Sequence, residues 1–253
     1  MTGASSGIGD ALARRLAAEG TDLVVVARDR KRLEALAEDL TEHHGVDVEV
    51  LRADLGKKAQ TAAVVERLQD PDSPIDLLAN NAGFGTYGPF VDLDPDEEER
   101  EIQVNCQALV RLCHAAAPGM VARRSGAIVN VSSLASRAPT PKNAVYSATK
   151  AFVSHFSDAL HEELRGSGVT VTVVEPGFTR TEFQERAGLT ETGGMPDFVW
   201  QSAEEVAEAA LGGARKGHAL VVPGTHNRVA AGLSALVPRN VKRRAVGMMS
   251  GRF

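Results

Sequence analysis

The sequence predicts an α/β fold: one doubly wound parallel sheet with helices on both faces. Three observations point there. Short β-branched runs alternate with longer helical stretches along most of the 253 residues. Several runs (LVVVA, IDLLA, AIVNV, VTVTVV) are nearly continuous apolar, without the in–out alternation of a half-exposed strand. The intervening stretches carry apolar stripes at helical spacing, as Leu33, Leu36, Ala37 and Leu40 do. Such alternation implies parallel strands joined by right-handed crossovers, with ligands outside the carboxyl ends of the strands.

In chain order, a helix is expected over Asp10 to Glu19, a strand over Leu23 to Ala27, and a helix over Asp29 to His44. Further strands are expected at Val46 to Arg52, Ile75 to Ala79, Ala127 to Val131, Val169 to Glu175 and Ala219 to Val222. Neither a linker, a low-complexity tract nor a repeat interrupts this order. Residues 1–253 therefore read as a single domain, with a substrate lid at about 178–200 and a helical tail at about 224–253.

Composition narrows the function classes. At 43% hydrophobic the chain is too apolar for a disordered protein, and no run approaches the roughly 20 apolar residues of a membrane span. The balance of 28 basic against 33 acidic side chains argues against a general nucleic-acid binder. Two cysteines, Cys106 and Cys113, make neither a disulfide framework nor a zinc site and read as small core residues. The start MTGASSGIGD has no signal-peptide pattern. A cytoplasmic protein without a metal is expected.

Thr2-Gly3-Ala4-Ser5-Ser6-Gly7-Ile8-Gly9 runs directly into a predicted helix. Glycines at such a junction let the backbone turn tightly and approach a pyrophosphate, whose charge meets the N–H groups of the helix start. The spacing is G-x-x-x-G-x-G, not the usual G-x-G-x-x-G, so by itself it is a weak signal. Residues 3–7 also fit the G-x-S-x-G of a hydrolase nucleophile elbow, and residues 147–150 fit S-x-x-K. The first lacks preceding strands and the second lacks its K-T-G partner.

Four further segments carry a resemblance. Asn80-Asn81-Ala82-Gly83, Asn105, the set Ser133…Tyr146-x-x-x-Lys150, and Pro176-Gly177 follow the glycines in an order and at separations that resemble the short-chain dehydrogenase/reductases, from Thr2 to about Val222. The resemblance implies a Rossmann-type fold and an NADP-preferring, carbonyl- or ketoacyl-reductase-like enzyme. By that similarity Tyr146 is the general acid/base, Lys150 tunes it and binds ribose, Ser133 orients the substrate and Asn105 supports a proton relay. The residues have their own logic. Tyr146 and Lys150, four apart on a predicted helix, lie about 40° apart around its axis. An ammonium one turn away is expected to lower the phenol from its usual value near 10, so that it exchanges a proton near neutral pH. Ser132 rivals Ser133; the family's 13-residue spacing to the tyrosine favours Ser133.

The end of the Leu23–Ala27 run meets the adenosine ribose in this fold, where an acid selects NAD and an arginine accommodates the 2′-phosphate of NADP. Arg28 stands there, with Asp29 one position late, so NADP(H) is favoured and NAD(H) is the alternative. Gly3, Ser5, Ser6, Gly7, Ile8 and Gly9 would line the pyrophosphate. The resemblance adds Asp54 and Leu55 at adenine, Asn81, Ala82 and Gly83 along the cofactor, and Pro176, Gly177, Thr179 and Thr181 at the carboxamide.

Of eight Phe, two Tyr and one Trp, seven crowd into residues 83–90 and 178–200. Phe84, Tyr87, Phe178, Phe183, Phe198 and Trp200 suggest an apolar pocket for a mid-sized lipophilic ketone, aldehyde or alcohol, with Gly188, Gly193, Gly194 and Pro196 suiting a mobile lid. The competing reading is that aromatics merely pack irregular loops. A non-catalytic NADP(H) sensor is the rival function. Arg239, Lys242, Arg243 and Arg244 among Val237, Val241, Val246, Met248 and Met249 form a basic amphipathic tail; it reads as a solvated helix against its own domain or a subunit partner, and membrane contact is not expected. The assembly expected is a homodimer or homotetramer. Finally, relatives carry an apolar strand feeding Thr2-Gly3. Its residues are expected upstream of Met1 in a longer reading frame, or else another segment fills the slot.

Overall fold

A computed structural model describes residues 1–188, 196–238 and 240–244. Its helices are α1 (Gly7–Ala17), α2 (Arg30–His44), α3 (Lys58–Leu68), α4 (Pro95–Ile102), α5 (Leu109–Arg123), α6 (Ala144–Glu163), α7 (Phe183–Arg186), α8 (Ala203–Arg215) and α9 (Thr225–Leu236). The strands are β1 (Leu23–Ala27), β2 (Val48–Arg52), β3 (Leu77–Asn80), β4 (Gly126–Val131), β5 (Val169–Val174) and β6 (Leu220–Val221). All pairings are parallel. The helix starts follow local chemistry. Asp29 caps α2 by accepting from Arg32 N–H at 3.1 Å, so it serves the helix end, as its late position suggested. Ahead of α4, Asp94 accepts from Asp96 N–H at 3.0 Å, and Pro95 and three acids fill the first turn. Ser202 and Glu205 form a reciprocal capping box on α8.

Strand order runs β2-β1 in one sheet and β3-β4-β5-β6 in the other. Met1–Gly3 bridges them: Val26 N–H donates to Met1 O at 2.9 Å, Gly3 N–H to Val26 O at 2.8 Å, and Thr2 N–H to Ala79 O at 2.9 Å. This is the slot of the expected first strand, and among the described residues it holds only this short segment. Nearby, Leu16, Leu77, Ala127, Leu211, Ala214 and Arg215 line an apolar cavity of about 200 Å³. The two faces of the sheet are covered by separate buried clusters. One packs α1, α2 and α8 through Leu12, Leu16, Leu33, Val206 and Leu211; the other packs α5 and α6 through Leu112, Met120 and Val153. Cys106 and Cys113 are buried free thiols. Gly193, Gly194, Arg239, Val246, Met248 and Met249, assigned to lid and tail from sequence, lie outside the described residues.

Candidate active site

The carboxyl ends of β1, β3, β4 and β5 gather the motif residues at one edge of the sheet. After β3, the Thr2 hydroxyl accepts from Asn81 N–H at 3.1 Å and Ala82 N–H at 3.0 Å, while Asn81 Nδ2 donates to Thr2 O and Gly3 O at 3.2 Å each. The glycine loop is thereby fixed against the Asn80–Gly83 turn. Gly9 is required sterically: a Cβ there would lie 2.1 Å from Gly3 O. Ser6 stands at the N-cap of α1 in an extended conformation and makes no side-chain capping bond, so the helix's first N–H groups are left for an anion. Ser5 and Ile8 are partly buried in this loop, and the Thr181 methyl packs over Gly7.

At the other end of the groove, Arg28 is exposed and makes no ion pair among the described residues; its carbonyl accepts from Arg52 Nε at 3.2 Å. Asp54 Oδ1 accepts from Gly56 N–H at 3.0 Å, and Leu55 beside it is buried. Pro176 O accepts from Leu134 N–H at 2.9 Å, Gly177 lies against Asn227, and Thr179 donates to Gly177 O at 3.1 Å. The Thr181 hydroxyl accepts from Phe183 N–H at 3.2 Å. A glycine-lined cradle, uncapped helix donors and a free guanidinium fit a phosphorylated dinucleotide.

The candidate catalytic residues converge from three elements. Tyr146 and Lys150 share one face of α6, with the Lys150 ammonium 5.7 Å from the Tyr146 ring centroid and donating to Val131 O at 2.9 Å. Ser132 and Ser133, adjacent at the end of β4, face differently. Ser132 is buried, donating to Lys150 O at 2.8 Å and lying 2.9 Å from the Ser154 hydroxyl. Ser133 is partly exposed and its hydroxyl accepts from Ala135 N–H at 3.1 Å. Asn105 sits in a π-helical turn, Gln103–Ala108, between α4 and α5. Its Oδ1 accepts from Phe84 N–H at 3.2 Å, and its Nδ2 donates to Phe84 O at 2.9 Å and the Thr149 hydroxyl at 3.0 Å.

One sequence expectation is reversed. The Tyr146 phenol is pushed up to about 12, because burial penalises the phenolate more than the neighbouring Ser133 hydroxyl favours it. Burial lowers Lys150 to about 8, with Cys106 and Glu101 opposing. Helical spacing fixes proximity but carries no information on desolvation.

Of the expected pocket aromatics, Phe183 lies 5.3 Å from Tyr146 and Phe178 lies 5.6 Å from Trp200, centroid to centroid. Phe84 carries the Arg100 guanidinium over its ring at 5.4 Å. Tyr87 is partly buried, and Phe198 is 72% exposed. Sequence reasoning missed Gly85 and Glu175. A Cβ on Gly85 would meet the Tyr146 ring at 2.7 Å, so only glycine admits that ring there. Buried Glu175 accepts from Arg137 Nε at 2.5 Å, Ser154 Oγ at 2.8 Å and Ser136 Oγ at 3.1 Å. Its signal was present: a carboxylate ending an apolar strand just before Pro-Gly.

Residues 1–192 match the family model described as short chain dehydrogenase. A very-long-chain 3-oxoacyl-CoA reductase from Anas platyrhynchos is 33% identical over 84% of this chain and 67% of its own length. Among solved structures, a short-chain dehydrogenase from Sphingobium yanoikuyae in complex with NADPH is 43% identical, with a TM-score of 0.86 over 100% of this chain and 95% of that one. A bulky-bulky ketone specific alcohol dehydrogenase from Comamonas testosteroni is 34% identical, with a TM-score of 0.80 over 94% of each chain.

Proposed function

Since this chain belongs to the short-chain dehydrogenase family, we propose that it is an NADPH-dependent oxidoreductase acting on the carbonyl or alcohol of a mid-sized lipophilic substrate. The observation that carries this reading is the convergence of Tyr146, Lys150, Ser133 and Asn105 on one edge of the sheet, beside a glycine-lined dinucleotide cradle. Gly3, Ser5, Ser6, Gly7, Ile8 and Gly9 would hold the pyrophosphate, Arg28 the 2′-phosphate, Asp54 and Leu55 adenine, and Asn81, Ala82 and Gly83 the middle of the cofactor. Pro176, Gly177, Thr179 and Thr181 would hold the carboxamide. When bound, the nicotinamide supplies or accepts the hydride. Tyr146 then gives the substrate oxygen its proton in reduction, or removes it in oxidation. Ser133, partly exposed just past the end of β4, orients that oxygen, while Lys150 and Asn105 hold the charge and hydrogen-bond frame around the phenol.

The NADPH complex of the Sphingobium protein and the exposed Arg28 support the cofactor. The ketone named for the Comamonas enzyme and the paired aromatics Phe178–Trp200 and Tyr146–Phe183 support a bulky lipophilic substrate. The deciding experiment is a panel of ketones and aldehydes with NADPH consumption followed optically. Turnover on aryl or long-chain ketones is expected. Tight NADPH binding with no turnover on any carbonyl would replace this reading with a redox sensor.

A further inference from the structure

Two carboxylates that the proton transfer above does not use lie behind Asn105. Glu101 is 0% exposed and Glu98, one turn earlier on α4, is 7% exposed. Both reach the Thr86 hydroxyl. That hydroxyl donates to Glu98 Oε1 and lies 3.4 Å from Glu101 Oε2, which also accepts from Thr86 N–H at 3.2 Å. Glu101 Oε1 accepts from Asn105 Nδ2 at 3.4 Å. The remaining oxygen, Glu98 Oε2, is buried and has no partner among the described residues.

The inventory does not balance for two anions. Thr86 has one hydroxyl proton, and two buried carboxylates compete for it; like charges this close cannot both ionise at little cost. If one proton is added to the pair, Glu101 donates to the Thr86 oxygen while Thr86 donates to Glu98 Oε1, and the two carboxylates no longer compete for one hydroxyl proton. When that proton leaves, the new charge stands behind the Asn105 amide nitrogen, near enough for Glu101 and Lys150 to interact as charges. Lys150 and Asn105 approach Gly83 together, within 3.3 and 3.0 Å of the position a Cβ would take.

We propose that Glu101 is a positioning residue of the reduction: it orients the Asn105 amide and, when ionised, supplies the negative charge that keeps Lys150 an ammonium beside Tyr146. Its proton is shared with Glu98 through Thr86. The groups around Glu101 are Glu98 on its own helix, Cys106 in the π-helical turn, and Lys150 and Tyr146 on α6; Arg100 turns instead to Glu97 and Asp54. Burial and Glu98 raise Glu101 to about 7 while Lys150 opposes the rise, so the shared proton leaves near neutral pH. This role rests on the reductase reading, but its central claim concerns Lys150 and can be tested without a substrate.

The experiment follows the Lys150 side-chain titration by NMR in 13C-lysine-labelled protein, its resonance identified with Lys150→Arg. Glu101→Gln keeps the size and the acceptor for Asn105 but removes the charge, and Lys150 is expected to titrate about one pH unit lower. Glu98→Gln relieves the competition, so Glu101 ionises earlier and Lys150 keeps its ammonium to at least the wild-type pH. If an active carbonyl substrate is in hand, the alkaline limb of kcat moves down with Lys150 in Glu101→Gln, and the acid limb moves down in Glu98→Gln. A Lys150 titration unchanged in Glu101→Gln overturns the proposal. Should that variant fail to fold, a Lys150 titration that falls in Glu98→Gln overturns it equally. Absence of turnover on every carbonyl, with Lys150 shifting as stated, sinks the reductase reading alone.

Discussion

The Ser132 hydroxyl donates to the main-chain oxygen of Lys150 at 2.8 Å, so the serine beside the one proposed to orient the substrate is a strut between β4 and α6. The same lysine returns a bond from its side chain to Val131 O. The end of β4 and the middle of α6 are thus tied twice beside the candidate catalytic residues. Adjacent serines on a strand point to opposite faces, and here one holds the scaffold while the other is open to the cleft.

That division predicts opposite phenotypes. Ser132→Ala removes the side-chain bond to the Lys150 carbonyl, which keeps its helix donor, and should cost about 0.5–1.5 kcal/mol of stability, with a modest loss of turnover. Ser133→Ala should leave the melting temperature nearly unchanged and lower kcat severely. Thermal melts and steady-state kinetics on both variants check this; the reverse pattern would show that the wrong serine meets substrate.

Tyr146→Phe keeps the packing against Phe183 and Gly85 but removes the transferable proton. NADPH affinity should persist while turnover falls by two or more decades. Fluorescence titration and optical assay measure the two quantities separately.

Arg28→Ala should weaken NADPH by about 1.5–3 kcal/mol, the range for a lost hydrogen bond to a charged group, and NADH far less. An equal loss for both cofactors in isothermal titration would remove Arg28 from the 2′-phosphate site.

Arg137→Ala should be destabilising by about 3–5 kcal/mol, because it strands the buried Glu175 carboxylate. Chemical denaturation reads this directly. Replacing Arg137 and Glu175 together by Ala and Gln should cost less than the single change, since no unpaired charge remains.

Stability should depend on pH through Glu101. Its carboxyl, ordinarily near 4.5, is raised to about 7 in the folded chain by burial and Glu98. Between those values the folded state binds more protons than the unfolded one, so stability falls as pH rises through the window. At 1.36 kcal/mol per unit, the loss is on the order of 3 kcal/mol. Glu101→Gln should flatten that slope in melts between pH 4.5 and 7, and an unchanged slope would assign it to other groups.

Much of this molecule was legible in the chain. Continuous apolar runs such as LVVVA and VTVTVV have no face to give to water, which is why they became parallel strands covered on both sides. Strand edges were less readable: the run expected from Val46 begins at Val48, and that from Ile75 begins at Leu77, because pairing decides where a ladder starts. Asn105, Tyr146 and Lys150 were named by their resemblance to the family's motifs, and helical spacing accounts for Tyr146 and Lys150 sharing one face of α6. What spacing does not encode is the medium around them. The raised phenol of Tyr146, the lowered ammonium of Lys150 and the raised carboxyl of Glu101 all arise chiefly from burial in the packed chain. Local sequence determines which backbone shape a segment adopts; burial and long-range charge exist only once the segments pack, and those decide the proton chemistry.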